Sequence, residues 1–428
     1  MNSIAWLTAY LVLLFAVPST QIVGPLGSAG SLAMVFGLGS FMLWVMLRVA
    51  ASRSTGSEPE PVRRALVVFL FCVGFTYTWT MSHPVSPDEV SPADVAVLAL
   101  ISWAGTFLLA HDSLDTLADL RTILRRIAMA GGFLAMLGLL QALTRQVWVD
   151  RVSIPGLTLT QAAGNFDRGG FPRPAGTSVH PIEFGVVIAV LFPIALHIAF
   201  HDKERPLWLR WFPAAAIGAL VPLTSSRSAY LGVLVGLLIC MTGWEARRRW
   251  QMLGLAGVGV VAMLVVTPNL LNSIVRLFTG AGEDASVSSR TGSFGLAGDF
   301  FERSPLIGRG LGTFLPKYRI FDNQYLLLIV TVGLIGTVAF LAVAVVAIRT
   351  LRRARAHTDD AATKDLTISL TASIVVGFLS LLLFDAFAFP QTMGTIFLVL
   401  GLAGAVHRLS AVDGARSGPD KSRSEMTR

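Results

Sequence analysis

QYLLLIVTVGLIGTVAFLAVAVVAI, residues 324–348, runs without a charged residue. A helix needs about 20 mostly apolar residues to cross the hydrocarbon core of a bilayer, and this stretch is long enough. Similar apolar runs precede and follow it. With it they make twelve expected spans, at about 4–20, 31–50, 65–81, 94–110, 127–143, 181–200, 207–223, 229–244, 252–267, 324–348, 366–386 and 390–407. The composition agrees: 54% of the 428 residues are hydrophobic and 14% charged, with mean hydropathy +0.66. A soluble domain of this length does not have that balance. The fold class expected is therefore an all-α polytopic membrane protein. The first span is not read as a cleaved signal peptide, because it lacks a basic leading segment and a small-residue cleavage site before Pro18.

Lys and Arg in the loops set the orientation. One side carries Arg48, Arg63, Arg121, Arg125, Arg247, Arg248, Arg349, Arg352 and Arg408, among others, together 23 of the 34 cations. The other side has two long loops, about 144–180 and 267–323, which hold ten of its eleven cations; its short loops hold only Arg227. Both termini are thus expected in the cytoplasm and both long loops outside. Residues 1–412 are expected to form a single transmembrane domain. Residues 413–428, rich in Ser, Gly and charge, are expected to be a disordered cytoplasmic tail. The pI near 10.1 reflects this bias of the loops, and no basic helix interleaved with aromatics points to nucleic acid. Cys72 and Cys240 both fall inside spans and read as core thiols.

Several chemistries find no support. Four lysines and no Gly-rich loop ending in Lys-Ser or Lys-Thr leave no phosphate-cradling nucleotide site. Gly308, Gly310 and Gly312 are followed by Thr313 and lie outside any βαβ unit, so they are not a dinucleotide fingerprint. No Cys/His group has metal spacing, and neither a metal nor another cofactor is expected. Intramembrane charge is scarce. Glu183 and Asp385 sit near span ends, where hydrogen bonding within the bundle is the simpler reading, and no relay of an ion-coupled transporter is apparent.

What remains is a set of polar clusters on the outward side. Residues 173–181 read Arg-Pro-Ala-Gly-Thr-Ser-Val-His-Pro. A tight hairpin at 223–230 reads Leu-Thr-Ser-Ser-Arg-Ser-Ala-Tyr. The larger loop carries Arg290, Asp299, the glycine series with Arg309, and Asp322-Asn323 immediately before the quoted span. Guanidinium forks donate paired hydrogen bonds to phosphate oxygens and stay charged, so Arg173, Arg227, Arg290 and Arg309 suit a lipid diphosphate. Arginines preorganised on a diphosphate leaving group would lower the barrier to its departure. Asp322, where the loop re-enters the membrane, is placed to take a proton from an attacking hydroxyl. His180, Ser226, Asn323 and Tyr325 complete the candidate binding set. Each has a plainer reading: Arg227 as a hairpin cap, His180 as an interfacial histidine, Asp322-Asn323 as a helix N-cap pair, and the glycines as loop-shaping residues.

Taken in order, the Ser225-Ser226-Arg227-Ser228-Ala229 hairpin, Arg290, Ser304–Phe314, Asp322-Asn323-Gln324-Tyr325-Leu326 and Val332-Gly333-Leu334-Ile335-Gly336 resemble the O-antigen ligase and Wzy-type polymerase superfamily. The resemblance implies a membrane glycosyltransferase with a GT-C-like bundle, working at the outer face of the bacterial cytoplasmic membrane. It implies an undecaprenyl-diphosphate-linked glycan as donor, a second glycan as acceptor, no metal, and a flippase and a chain-length regulator as candidate partners. Arg227 and Arg290 match family arginines that hold the donor diphosphate, and Arg173 is a third candidate. Ligases that attach glycan to the lipid A core resemble His-Asn where this chain has Asp322-Asn323, and that difference favours polymerisation of lipid-linked repeat units. A ligase acting on another acceptor is the first alternative. A twelve-span flippase or transporter is the alternative of another class; it calls for symmetric halves and discontinuous midplane helices.

Overall fold

The computed structural model describes residues 2–50, 60–160, 167–168, 171–266 and 285–417. Thirteen α-helices account for most of them. They are α1 (Ser3–Phe15), α2 (Leu32–Ala50), α3 (Pro61–Met81), α4 (Pro87–Asp112), α5 (Leu117–Thr144), α6 (Pro181–His201), α7 (Leu207–Leu220), α8 (Arg227–Thr242), α9 (Ala246–Val266), α10 (Ala285–Arg303), α11 (Gln324–Ala356), α12 (Ala361–Ser380) and α13 (Pro390–Ser417). The chain is an all-α polytopic membrane protein. Among the described residues nine helical segments are long and apolar enough to cross a membrane: α2 to α6, α7 with the 3-10 turn after it, α11, α12 and Pro390–Ala411 of α13. Helices α1 and α8 are shorter apolar helices, and α9 stands at the remaining expected span.

The helices start where sequence chemistry caps them. Thr116 and Asp119 form a reciprocal capping box at the head of α5. Prolines open α3, α4, α6 and α13, where their missing N–H costs nothing. Asp360 caps α12 through the amides of Ala362 and Thr363.

Helix α6 is the centre of the bundle, with 94% of its apolar window buried. It packs against α5, α7, α8, α12 and α13. Helix α13 is nearly as enclosed and also packs on α4 and α11. Lipid is as apolar as leucine, so close helix contact in a membrane relies on small residues. Gly37 and Gly105 show this between α2 and α4: a Cβ on Gly105 would stand 2.4 Å from the Gly37 carbonyl oxygen.

At the basic end, aspartates at helix ends neutralise the loop cations. Asp112 accepts from Arg48 (2.7 Å) and Arg63 (2.9 Å), Asp202 from Arg125 (2.8 Å), and Asp365 from Arg248 (2.9 Å). Cys72 and Cys240 are both unpaired thiols.

Two features depart from the sequence reading. The segment 267–323 reads as one loop, yet its described part contains α10, which packs on α11 through Ala297, Phe314, Phe321 and Val330. The quoted stretch reads as one continuous span, yet α11 is broken at Gly333 (φ 65°, ψ −173°). The break lies about 13 Å along the helix from Gln324, at the rise of an α-helix. The chain itself fills it: Arg309 N donates to Val330 O (3.1 Å), Gly310 N to Thr331 O (2.8 Å) and Leu334 N to Pro305 O (2.9 Å). Non-helical backbone at that depth is tolerated where protein covers it.

Candidate functional site

The first cluster is held rigidly. Gln141 brackets Gly176, accepting from its amide (2.8 Å) and donating to its carbonyl (3.0 Å). Thr177 Oγ1 donates to Phe15 O (2.8 Å), and Gln391 bonds Leu14 O (2.7 Å) and Thr177. Glu183, fully buried, accepts from the amides of Val179 (2.9 Å), Gln391 (2.8 Å) and Thr392 (3.2 Å). It thereby ties the loop to the head of α13, which is the hydrogen-bonded role its sequence position suggested. Arg173 leads this fixed segment and His180 ends it as the N-cap of α6.

His180 Nδ1 accepts from Ile182 N (3.1 Å), so the ring is neutral in this arrangement. Burial pushes its pKa down to about 4, and the nearby Arg173 charge adds to the fall. The capping role is thus real, and it leaves Nε2 as the ring's N–H donor.

The hairpin docks on the same helix head. Helix α7 passes into the 3-10 turn Val221–Thr224, Ser225 turns left-handed (φ 46°), and Arg227 opens α8. Thr224, Ser225, Ser226 and Ser228 are all buried, and Ser226 Oγ lies 2.9 Å from Ser228 Oγ. Tyr230 OH donates to Pro222 O (2.9 Å) and closes the turn. A Cβ on Gly185 would meet Ser226 at 3.5 Å, so the hairpin sits directly against α6. His180 caps that helix, so the docked hairpin and the first cluster meet at its head. A guanidinium in the first turn of a helix opposes the helix dipole, so Arg227 gains nothing there as a cap; the same geometry attracts an anion twice over.

The third cluster meets the turn between α12 and α13. The sequence extends the eleventh span to 386, but α12 stops at Ser380 and leaves Asp385 in the turn. Gln324 clamps that turn: its N donates to Leu381 O (2.9 Å) and its Oε1 accepts from Phe387 N (2.8 Å). Gln324 is fully buried, and its Nε2 has no partner among the described residues. Phe389 at the end of the turn lies 6.3 Å, ring to ring, from His180.

Asn323 alone is the cap of α11, accepting from Tyr325 N (3.0 Å) and Leu326 N (3.3 Å). Asp322 stands outside the cap, in the left-handed region (φ 50°). Burial pushes the Asp385 carboxyl up to about 6, and the charge of Asp322 adds to the rise. The Gln324 clamp brings the segment that carries Asp322 to the turn that carries Asp385. Asp385 is the residue that sequence reasoning left out of the site, because it read as part of a span.

The other expected members have contacts of their own. Arg309 Nη2 donates to Glu89 Oε1 (2.6 Å), and Tyr318 OH donates to the same oxygen (2.6 Å). Its guanidinium lies 5.3 Å from the Phe300 ring and 5.5 Å from Tyr318, so its recorded partners fix the loop to α4. Tyr325 OH donates to Phe378 O (2.7 Å), a helix-to-helix tie. The glycine series shapes the loop: Gly308 (φ 78°), Gly310 (φ 109°) and Gly312 (φ 81°) are all left-handed, and a Cβ on Gly308 would stand 2.5 Å from Gly333 N. Arg290 lies on α10, and its side chain falls outside the described residues.

At the basic end His197 and His201, one turn apart on α6, and Asp365 of α12 have ligand atoms within 4.8 Å of one another. The expectation that no Cys/His group has metal spacing overlooked this histidine pair; only the distant Asp365 was hidden by the sequence. Arg248 bonds the same carboxylate and stacks on Phe200 at 3.5 Å, so a cation already meets that charge.

Residues 212–341 match the family model described as O-antigen ligase. No curated protein matches the chain. The matched stretch includes Arg227, Arg290, the glycine series, Asp322 and the break in α11; Arg173, His180 and Asp385 lie outside it.

Proposed function

We propose that the protein polymerises lipid-linked oligosaccharide repeat units, by glycosyl transfer from an undecaprenyl-diphosphate donor at the outer face of the bacterial cytoplasmic membrane. The observation that carries this reading is the junction of three sequence-distant elements at one end of the bundle. They are the rigid Arg173–His180 segment, the Arg227 hairpin, and the Asp322–Asp385 turns. The first two supply cations for a diphosphate and the third supplies carboxylates.

In this scheme an acceptor hydroxyl attacks the anomeric carbon of the donor sugar. Its proton passes to Asp322, the carbon–oxygen bond to the diphosphate breaks, and the lipid diphosphate leaves with the bonding electrons. Arg227, Arg173 and Arg290 would hold the charge that grows on the leaving group. Neutral His180 would donate a hydrogen bond without competing for the anion's countercharge. In this scheme Arg309 is structural rather than substrate-binding, a reading supported by its hydrogen bond to Glu89.

Ligation to another acceptor is the second reading, favoured by the description of the matching family. The transporter reading draws on the break in α11, but there the loop's own backbone occupies the freed groups instead of a substrate path. Deleting the gene and separating the cell's lipid-linked glycans on a gel tests the choice. Single repeat units accumulating is the expected result. Intact polymer left unattached would support the ligase reading instead.

A further inference from the structure

The geometry points to a binding site for an anionic glycerophospholipid in the groove between the basic ends of α8, α11 and α12. It does not depend on the proposed transferase activity. The groove measures about 500 Å³. Ile239, Ile348, Ile368 and Val375 give it apolar walls, and Arg352 and Arg355 stand at one end. Its lining threonines spend their protons within their own helices. Thr242 donates to Ile239 O (2.7 Å), Thr367 to Lys364 O (2.8 Å) and Thr371 to Thr367 O (2.7 Å).

The result is a largely apolar channel with two guanidiniums at its mouth and, among the described residues, no carboxylate in its lining. Arg355 uses one nitrogen on Lys364 O (3.0 Å), and Arg352 is exposed. From Thr367 to Val375 the wall is about 12 Å long, at the rise of an α-helix. One leaflet of the hydrocarbon core is about 15 Å deep, so an acyl chain fits along it with the phosphate at the arginines. Basic pockets between membrane helices bind acidic headgroups by this arrangement.

A second cavity at the basic end, about 260 Å³, provides the contrast. It is lined by Arg48, Arg63 and Arg408, but also by Glu60 and Asp112. Asp112 already takes Arg48 and Arg63, and Arg408 is spent on the carbonyls of His111 and Leu114. That cavity carries its own countercharge; among the described residues the α8–α11–α12 groove does not.

Native mass spectrometry of the full-length protein, titrated with phosphatidylglycerol and with phosphatidylcholine, tests the site. The wild type should retain phosphatidylglycerol preferentially. An arginine near an anionic headgroup is worth roughly a fivefold factor in binding, so the Arg352→Ala/Arg355→Ala pair should lose about thirtyfold of that preference. Arg352→Glu, at an exposed position that does not threaten folding, should lose it too. Arg48→Ala, at the self-neutralised cavity, should keep it. Equal retention of the two lipids by the wild type would overturn the assignment. So would an undiminished preference in Arg352→Glu, or an equal loss in Arg48→Ala.

Discussion

Asp322 carries the sharpest residue-scale test, because the structure separates it from the helix cap beside it. Asn323 alone caps α11, and Asp322 sits at φ 50°, where Asn is as well tolerated as Asp. Asp322→Asn therefore changes little but the ability to accept a proton. The expected outcome is a loss of polymer of about 10²–10⁴-fold at matched protein level. Wild-type yield would remove Asp322 from the reaction. Asp385 offers an independent reading by pH. A carboxyl whose pKa is raised on folding stabilises the folded state in acid, and that contribution is lost as the pH rises through about 6. Asp385→Asn should remove this dependence. At pH 7–8 it should melt above the wild type, by up to about 3 kcal/mol, and the two should converge towards pH 4. Parallel melting profiles across that range would show that Asp385 is not buried beside a second negative charge. The sequence exposed Asp322 through its place before an apolar run. It hid Asp385, because Leu381-Leu382-Leu383-Phe384 continues the hydropathy of α12 past the point where the helix ends.

At the scale of elements, the glycine series and the break in α11 form one device. Gly308 packs a left-handed turn onto Gly333, and Thr331 O would lie 2.5 Å from a Cβ there. Gly308→Ala should lower the melting temperature of the purified protein by the equivalent of about 2 kcal/mol or more, from strain and clash together. Gly257→Ala, with nothing within 4 Å of the added methyl, is the control and should be near neutral. Equal melting of the two variants would mean that the loop is not seated in the break. Twelve helices overlap the expected spans because each apolar run is bounded by charge, Pro or Gly. The break was not legible, since Val332-Gly333-Leu334 is as apolar as its neighbours and what opens the helix there is a loop more than twenty residues upstream. Helix α10 was hidden for the opposite reason: Ala285–Arg303 is too polar to read as a span, and it gains its place by packing Ala297 onto the face of α11.

For the whole molecule, the charge of the loops proposes an orientation that the site requires. The heads of α6, α8, α11 and α13 lie with the candidate site, and the Asp112, Asp202 and Asp365 networks lie at the other end. An Asp299→Cys variant, at an exposed position on α10, should react with an impermeant thiol reagent in intact cells. A Thr358→Cys variant should react only after lysis. The reverse pattern would invert the molecule and place the junction in the cytoplasm, away from any outward-facing glycan.

The most direct measurement uses purified protein supplied with undecaprenyl-diphosphate-linked repeat units, with polymer and released lipid diphosphate counted together. The account predicts one lipid diphosphate released per linkage formed by the wild type. It predicts a fall of about 10²–10³-fold in both for Arg227→Ala, with weak rescue by Arg227→Lys, because a point charge does not reproduce the two-pronged guanidinium. Lipid diphosphate and polymer formed at the wild-type rate by Arg227→Ala would contradict it.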